Sequence, residues 1–298
     1  MPAGGNPSVT RVVSAAMKIG VTLHCTDDSM DVVEFAREAE ARGFYSLYIP
    51  EHTHIPTSRR TPAPSGTPEL GREYYRTPDP YVMCAAAAAV TSKILLGTGI
   101  ALVAQHDPIA LAKTIATVDW TSGGRFVLGI GFGWNHEEME NHRIEVARRR
   151  DVVREVMLAM GELWSNEVAE FHGEFVDFTP SFQWPKPVQQ PRVRTLLGGA
   201  PGPKMFAHIA EYCDGWIPIG GAGLRAALVD LQAAWEARGR DFSTAHVVPF
   251  GVLPDAGKLE YYAATGCTEV VLRVPSAPRD EVMPVLDEFV EFSDVWNK

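Results

Sequence analysis

Residues 94–130 read ILLGTGIALVAQHDPIALAKTIATVDWTSGGRFVLGI, and this stretch decides the fold. The apolar run at 94–102 is near-continuous, as a strand buried on both faces requires. Pro108 opens the next segment at a helix position where a missing N–H costs nothing, so 108–120 reads as a helix. A second apolar run follows at 125–130. Strand, helix and strand in this order make a β-α-β unit, whose two strands run parallel.

The same rhythm extends in both directions. Upstream, strands are predicted at 18–24 and 45–50. A helix at 29–42 has Ser29 as its N-cap and Gly43 just past its end. Another, at 79–91, has Pro80 in its first turn. Downstream comes a single long helical stretch over 137–164. Strands at 193–197, 215–218, 246–253 and 268–273 then alternate with helices at 203–212, 224–238, 259–264 and 279–292. Eight such units imply a parallel sheet covered by helices, and a closed (β/α)8 TIM barrel suits eight units better than an open sheet. Residues 17–298 are read as one barrel domain and 1–16 as a flexible extension without a signal-peptide core. Two insertions break the rhythm. Residues 53–77 follow strand two and form a lid candidate, which its Pro, Ser and Gly content would leave mobile. Residues 166–191 precede strand five.

The chain has 298 residues, 46% hydrophobic and 21% charged, which are the values of a globular protein. With 27 Lys+Arg against 37 Asp+Glu its formal charge is −10. An acidic balance argues against a nucleic-acid or anionic-membrane partner, and no apolar run approaches the roughly 18 residues of a spanning helix. Cys25, Cys84, Cys213 and Cys267 form no C-x-x-C pair and read as buried free thiols, which suits a reducing, cytoplasmic setting. A homodimer is compatible with this reading, which does not fix the oligomeric state.

In a parallel barrel the chemistry sits where strands end. Strand two ends at Glu51-His52. A histidine there can give or take a proton near neutrality, although an isolated histidine more often serves structure. The loop Gly198-Gly199-Ala200-Pro201-Gly202-Pro203 opens a helix and suits a phosphate, or is a plain tight turn. GIGFGW at 129–134 has the spacing G-x-G-x-G and fails the dinucleotide fingerprint. His52-Thr53-His54, with His24 and His106, lacks convincing carboxylates for a metal. Residues 136–140 place Glu140 where H-E-x-x-H needs its second His, so no metal is expected. Arg59, Arg60, Arg72 and Arg76 make the lid basic; this is either a solvated loop or a seat for an anionic tail.

The segment HDPIALAKTIATVDWTSGGRFVLGIGFGWNHEEM at 106–139 resembles the central signature of the luciferase-like monooxygenase superfamily. So do MKIGVTLH, GTGI and LLGGAPGPKMFAHIAEYCDGWIPIGG, in order. SLYIPEHTHIP, EFHGEFVDF and WPKPVQ look like its branch of F420-dependent oxidoreductases. The resemblance implies a TIM barrel that binds a flavin or deazaflavin at the C-terminal face. It maps a cis peptide backing the ring onto Gly99-Ile100, and an acid-histidine pair onto Glu51 and His52. It maps ring contacts onto Gly133, Trp134 and Asn135. It puts the cofactor phosphate at Gly198, Gly199, Ala200 and Gly202, with Gly220 and Gly221 as the other glycine-rich loop. Where some sugar-phosphate-oxidising relatives carry a catalytic Glu, this chain has Trp134. The expected function is hydride transfer between coenzyme F420 and a small organic substrate. The alternatives are an FMN-dependent monooxygenase and a flavin-binding protein without turnover.

Overall fold

The structure is a computed structural model that describes residues 17–64 and 69–297; the extension expected at 1–16 lies outside the described residues. In chain order the first half runs β1 (Lys18–Leu23), α1 (Val32–Ala41), β2 (Ser46–Ile49), α2 (Pro80–Ala88), β3 (Leu95–Thr98), α3 (Pro108–Thr121), β4 (Phe126–Ile130), α4 (His136–Asn141) and α5 (Arg149–Ser165). The second half runs β5 (Val168–His172), β6 (Asp177–Phe182), β7 (Thr195–Gly198), α6 (Pro203–Tyr212), β8 (Gly215–Ile217), α7 (Leu224–Glu236), β9 (His246–Val247), β10 (Phe250–Val252), α8 (Ala256–Thr265), β11 (Glu269–Val274) and α9 (Arg279–Trp296).

Nine strand segments form one sheet in the order β10-β11-β1-β2-β3-β4-β7-β8-β9. Its two end segments are consecutive pieces of one strand, parted at Val248-Pro249. Val248 N donates to Trp216 O on one side at 2.9 Å, and Val271 N donates to Pro249 O on the other at 2.9 Å. The sheet therefore returns on itself, and the segments make eight parallel strands in a ring, as the alternation predicts. Strand one meets strand eight in register from Lys18↔Glu269 to Leu23↔Val274. The Asn297 side chain ties β1 to the turn that leads into β2. It accepts from Ile19 N at 2.7 Å and donates to Ile19 O at 3.1 Å and Gly43 O at 2.8 Å.

The period of two along each strand sorts its side chains. In β4, Val127 points into the barrel, where it packs with Tyr48, Leu196, Ile217, Val248 and Val271. Phe126, Leu128 and Ile130 point outward under the helices and are fully buried there. All four cysteines are buried free thiols.

Four local expectations change. The N-cap of α1 is Asp31, which accepts from Val33 N and Glu34 N at 2.9 and 3.0 Å, while Ser29 closes a turn onto Thr26. A carboxylate binds two free N–H groups better than a hydroxyl does. The long helix expected over 137–164 is two helices, because Arg143 takes a left-handed conformation (φ 62) and redirects the chain between α4 and α5. The insertion at 166–191 holds an antiparallel hairpin, β5 with β6. The lid candidate is tied to α4 by buried carboxylates, described below.

Candidate active site

A cavity of about 540 Å³ opens at the C-terminal end of the barrel. Glu51, His52, Gly99, Ile100, Gly133, Trp134, Gly198, Gly199 and Ala200, all singled out from sequence, line it. Asn135, Gly202, Gly220, Gly221 and the four lid arginines do not. Gly99-Ile100 is a cis peptide. Its wall is closely packed. A Cβ on Gly99 would lie 2.4 Å from the Phe250 ring, and one on Gly131 would lie 2.6 Å from Ile100 Cδ1, so only glycine keeps this slot open.

Glu51 is buried, and both its oxygens are engaged. Oε2 accepts from Leu102 N at 2.6 Å, and Oε1 lies 2.6 Å from His106 Nε2. Glu51 N also donates to Ile100 O at 3.2 Å. The residue braces the loop that follows β3 and has no free oxygen for a substrate. Burial pushes the His106 imidazole down, but the hydrogen bond and charge of Glu51 outweigh it and leave the net shift upward.

His52 has a different carboxylate partner. Its Nδ1 lies 2.8 Å from Glu138 Oε2, and the Glu138 side chain is almost wholly buried. The other Glu138 oxygen accepts from Thr53 N at 3.0 Å. Trp134 packs edge-on against the His52 ring at 5.7 Å, and Tyr74 lies tilted against it at 5.6 Å. The sequence reading missed Glu138. The signal was present in residues 135–138, Asn-His-Glu-Glu, directly after strand four. Asn135 is the N-cap of α4, its Oδ1 accepting from Glu138 N at 3.4 Å, and this turns both glutamates inward.

Glu137 holds the lid. It is buried and accepts from Thr61 Oγ1, from Thr61 N at 3.0 Å and from Arg60 N. Burial pushes its carboxyl up, but hydrogen bonds led by Thr61 Oγ1 win and hold it at about 2. Three lid arginines already have carboxylate partners. Arg60 pairs with Glu140 and Arg72 with Asp28, while Arg76 grips Asp27 through two contacts of 2.6 Å. Arg59 lies over Trp134 at 5.9 Å and has no carboxylate partner among the described residues. The short helical turn at Arg72–Tyr75 brings Tyr74 into the cavity wall between His24 and Trp134.

The far wall is cationic. Arg149 and Arg150 line the cavity from the start of α5, and Arg150 lies 5.0 Å over Phe132. Arg149 Nε is buried with no partner, and no side chain caps α6, which begins right after Gly202. Gly199 has φ +149, and a Cβ there would lie 3.0 Å from Met205 Cε. Free helix N–H groups, a guanidinium whose Nε is unpaired and a backbone open to close approach fit a phosphate. Gly220 and Gly221 stand apart from this cradle: Gly220 N donates to Phe250 O, and Gly221 packs under Tyr262. Among the described residues no group of three or more His, Cys, Asp or Glu could hold a metal, and no helix is long and apolar enough to cross a membrane.

The strand ends of the barrel thus converge on a glycine-walled slot, a histidine-carboxylate pair and a cationic wall. The profile of the luciferase-like monooxygenase family matches residues 11–256, and the chain belongs to that family. An uncharacterized protein of Mycobacterium tuberculosis is 43% identical over 268 residues, covering 89% of this chain and 94% of that protein. The F420-dependent glucose-6-phosphate dehydrogenase of Kineococcus radiotolerans is 29% identical over 216 residues, covering 70% of this chain and 59% of that protein. The crystal structure of monooxygenase RslO1 from Streptomyces bottropensis shares the fold with a TM-score of 0.75 and 21% identity, over 92% of this chain and 98% of that one. The family thus includes both F420-dependent oxidoreductases and monooxygenases.

Proposed function

We propose that this protein is an oxidoreductase that transfers a hydride between deazaflavin F420 and a small organic substrate, with His52 moving the accompanying proton. The observation that carries this reading is the 2.8 Å contact between His52 Nδ1 and Glu138 Oε2 on the wall of the cavity. When bound, the deazaflavin supplies the two-electron chemistry. The chain's own residues bind, orient and protonate. Arg149, Arg150 and the N-terminus of α6 hold the cofactor phosphate. Glu138 fixes the His52 ring, so that a proton sits on Nδ1 and Nε2 is left to face the substrate. The carboxylate also steadies the imidazolium once Nε2 is protonated. Trp134 and Tyr74 keep bulk water from the ring. Glu51 acts as a positioning residue.

Kinship with an F420-dependent dehydrogenase and the carboxylate-free Arg59 support F420 over FMN. A flavin carrier without turnover would have no use for a buried histidine-carboxylate pair. The test is a parallel titration of the purified protein with F420 and FMN, repeated with Gly199→Val. The expected result is tighter binding of F420, and at least tenfold weaker binding of both cofactors in the variant, since one blocked phosphate contact is worth about 1.4 kcal/mol or more. Preference for FMN, with oxygen consumption on reduction, would replace this reading with that of a monooxygenase.

A further inference from the structure

Strand eight carries an arginine into the cavity that the readings above leave unused. Along β11, Glu269, Val271 and Arg273 face the barrel interior on alternate positions. Glu269 accepts from Ser46 Oγ low in the barrel, Val271 joins the inner apolar cluster, and Arg273 emerges at the mouth, exposed and lining the cavity. Thr22 pairs with it in register across the seam, and its hydroxyl is committed to Tyr48 O at 3.0 Å.

Arg273 has no ion pair among the described residues, and the residues outside that set include no aspartate or glutamate. Arg60, Arg72 and Arg76 on the lid, by contrast, all hold carboxylates, and the other cavity arginines, Arg149 and Arg150, stand at the start of α5. The Tyr74 hydroxyl feels the charges of both Glu73 and Arg273. His24, at the end of β1, is held neutral by burial and by the nearby His52, down to about 4, and its buried Nε2 has no partner. Tyr74 packs edge-on to His24 at 5.1 Å. Position in the ring separates this group from the cofactor cradle. Counting around the sheet, β11 stands opposite β4, and β3, β4 and β7 carry the cis peptide, Gly133 and the Gly198 loop. A ligand seated on that arc leaves Arg273 facing whatever fills the rest of the cavity.

We infer that Arg273 is the anchor for a carboxylate on the substrate, with His24 and Tyr74 as its polar flank, so that the substrate is a small organic acid rather than a neutral molecule. The inference names the substrate class for the oxidoreductase reading above and rests on it. A guanidinium without an ion pair matches a carboxylate through two parallel hydrogen bonds.

The test uses the full chain and three probe pairs: acetate, hexanoate and 3-phenylpropionate, each against its amide. Binding is read by tryptophan emission, without cofactor and with saturating F420 or FMN. Wild type should prefer at least one acid over its amide by about tenfold or more, the scale of one charge-assisted pair. Arg273→Gln should reduce the preference below about twofold and leave cofactor affinity unchanged, with Arg273→Lys in between. Circular dichroism and melting check that the variants fold. Equal binding of acid and amide by wild type, no binding of any acid, or a preference that survives in Arg273→Gln would overturn the inference. So would a tenfold loss of F420 or FMN affinity in that variant, since Arg273 would then serve the cofactor. If wild type binds neither cofactor, the oxidoreductase reading fails, and the acid-amide comparison on the cofactor-free protein still decides the role of Arg273.

Discussion

His52 and Glu138 lie 86 positions apart in sequence and meet through one contact of 2.8 Å, Nδ1 to Oε2. A one-residue shift in either strand end would break it, so the barrel's register and the Asn135 cap together set the geometry of proton transfer. His52→Ala should lower kcat by about 10²-fold or more, the usual contribution of a positioned proton donor. Glu138→Gln, which keeps shape but loses charge, should lower it by about tenfold, with cofactor Kd within twofold of wild type in both. Parallel losses in Kd and kcat would mark the pair as packing.

The lid depends on Glu137 more than on its arginines. Thr61 and Arg60 donate to that carboxylate, whereas the arginine pairs are exposed and worth little each. Glu137→Gln presents an amide NH2 to groups that are themselves donors. Tryptic cleavage after Arg59 and Arg60 should become about tenfold faster, in line with about 1.4 kcal/mol of lost docking. Because Glu137 is buried, added salt should change the wild-type rate little. A rate unchanged by the substitution would show that other contacts dock the lid.

Arg59 differs from its three neighbours in having no carboxylate partner among the described residues. Arg59→Gln should reduce the preference for F420 over its tail-less deazaflavin core about two- to fivefold, the worth of an exposed pair. Arg72→Gln should leave that preference unchanged, since Arg72 is already occupied by Asp28. The Arg59 effect should fade by 1 M salt, where the Debye length falls to about 3 Å. Equal effects of the two substitutions would assign tail binding to diffuse charge.

His246, in β9 and away from the cavity, is held down to about 4, chiefly by burial and next by Arg194. The folded state thus binds its proton later than the unfolded chain, whose histidine titrates near 6.5. The stability that neutral His246 supports is complete above about pH 6.5 and is lost as pH falls toward 4, by up to about 3 kcal/mol. Urea unfolding of His246→Gln at pH 7 and pH 4.5 measures this. The variant should gain on wild type at the lower pH; parallel behaviour would mean that His246 is already free to protonate.

Much of the barrel was legible because a strand buried on two faces leaves a continuous apolar run, and β3-α3-β4 shows two such runs in one stretch. The hairpin β5-β6 was harder. Phe171 and Phe178 face each other across it, but seven of its eleven strand residues are exposed, so its pattern reads as loop. In the site, strand ends led directly to Glu51 and His52, yet the partners were misassigned. Sequence adjacency suggested that Glu51 and His52 act together. The pleat sends them apart, one to His106 and one to Glu138. Arg273 escaped notice because one arginine near the end of an apolar strand looks like a solvated terminus, and only barrel closure turns it inward.

The seam between β1 and β11 joins residues about 250 positions apart, Lys18 to Glu269 at its foot. Such a ring has no first strand except by accident of where the peptide chain is cut. Because loop entropy grows only as the logarithm of length, that closure costs little more than closing a loop half as long, but it must wait until the last strand has emerged from the ribosome. Until then β1 and the nascent end of the sheet are unpaired edges, open to pairing with another chain. Covalently joining 17 to 297 and opening new ends at the exposed turn near Gly239 would keep every strand pair while moving the late step elsewhere in the ring.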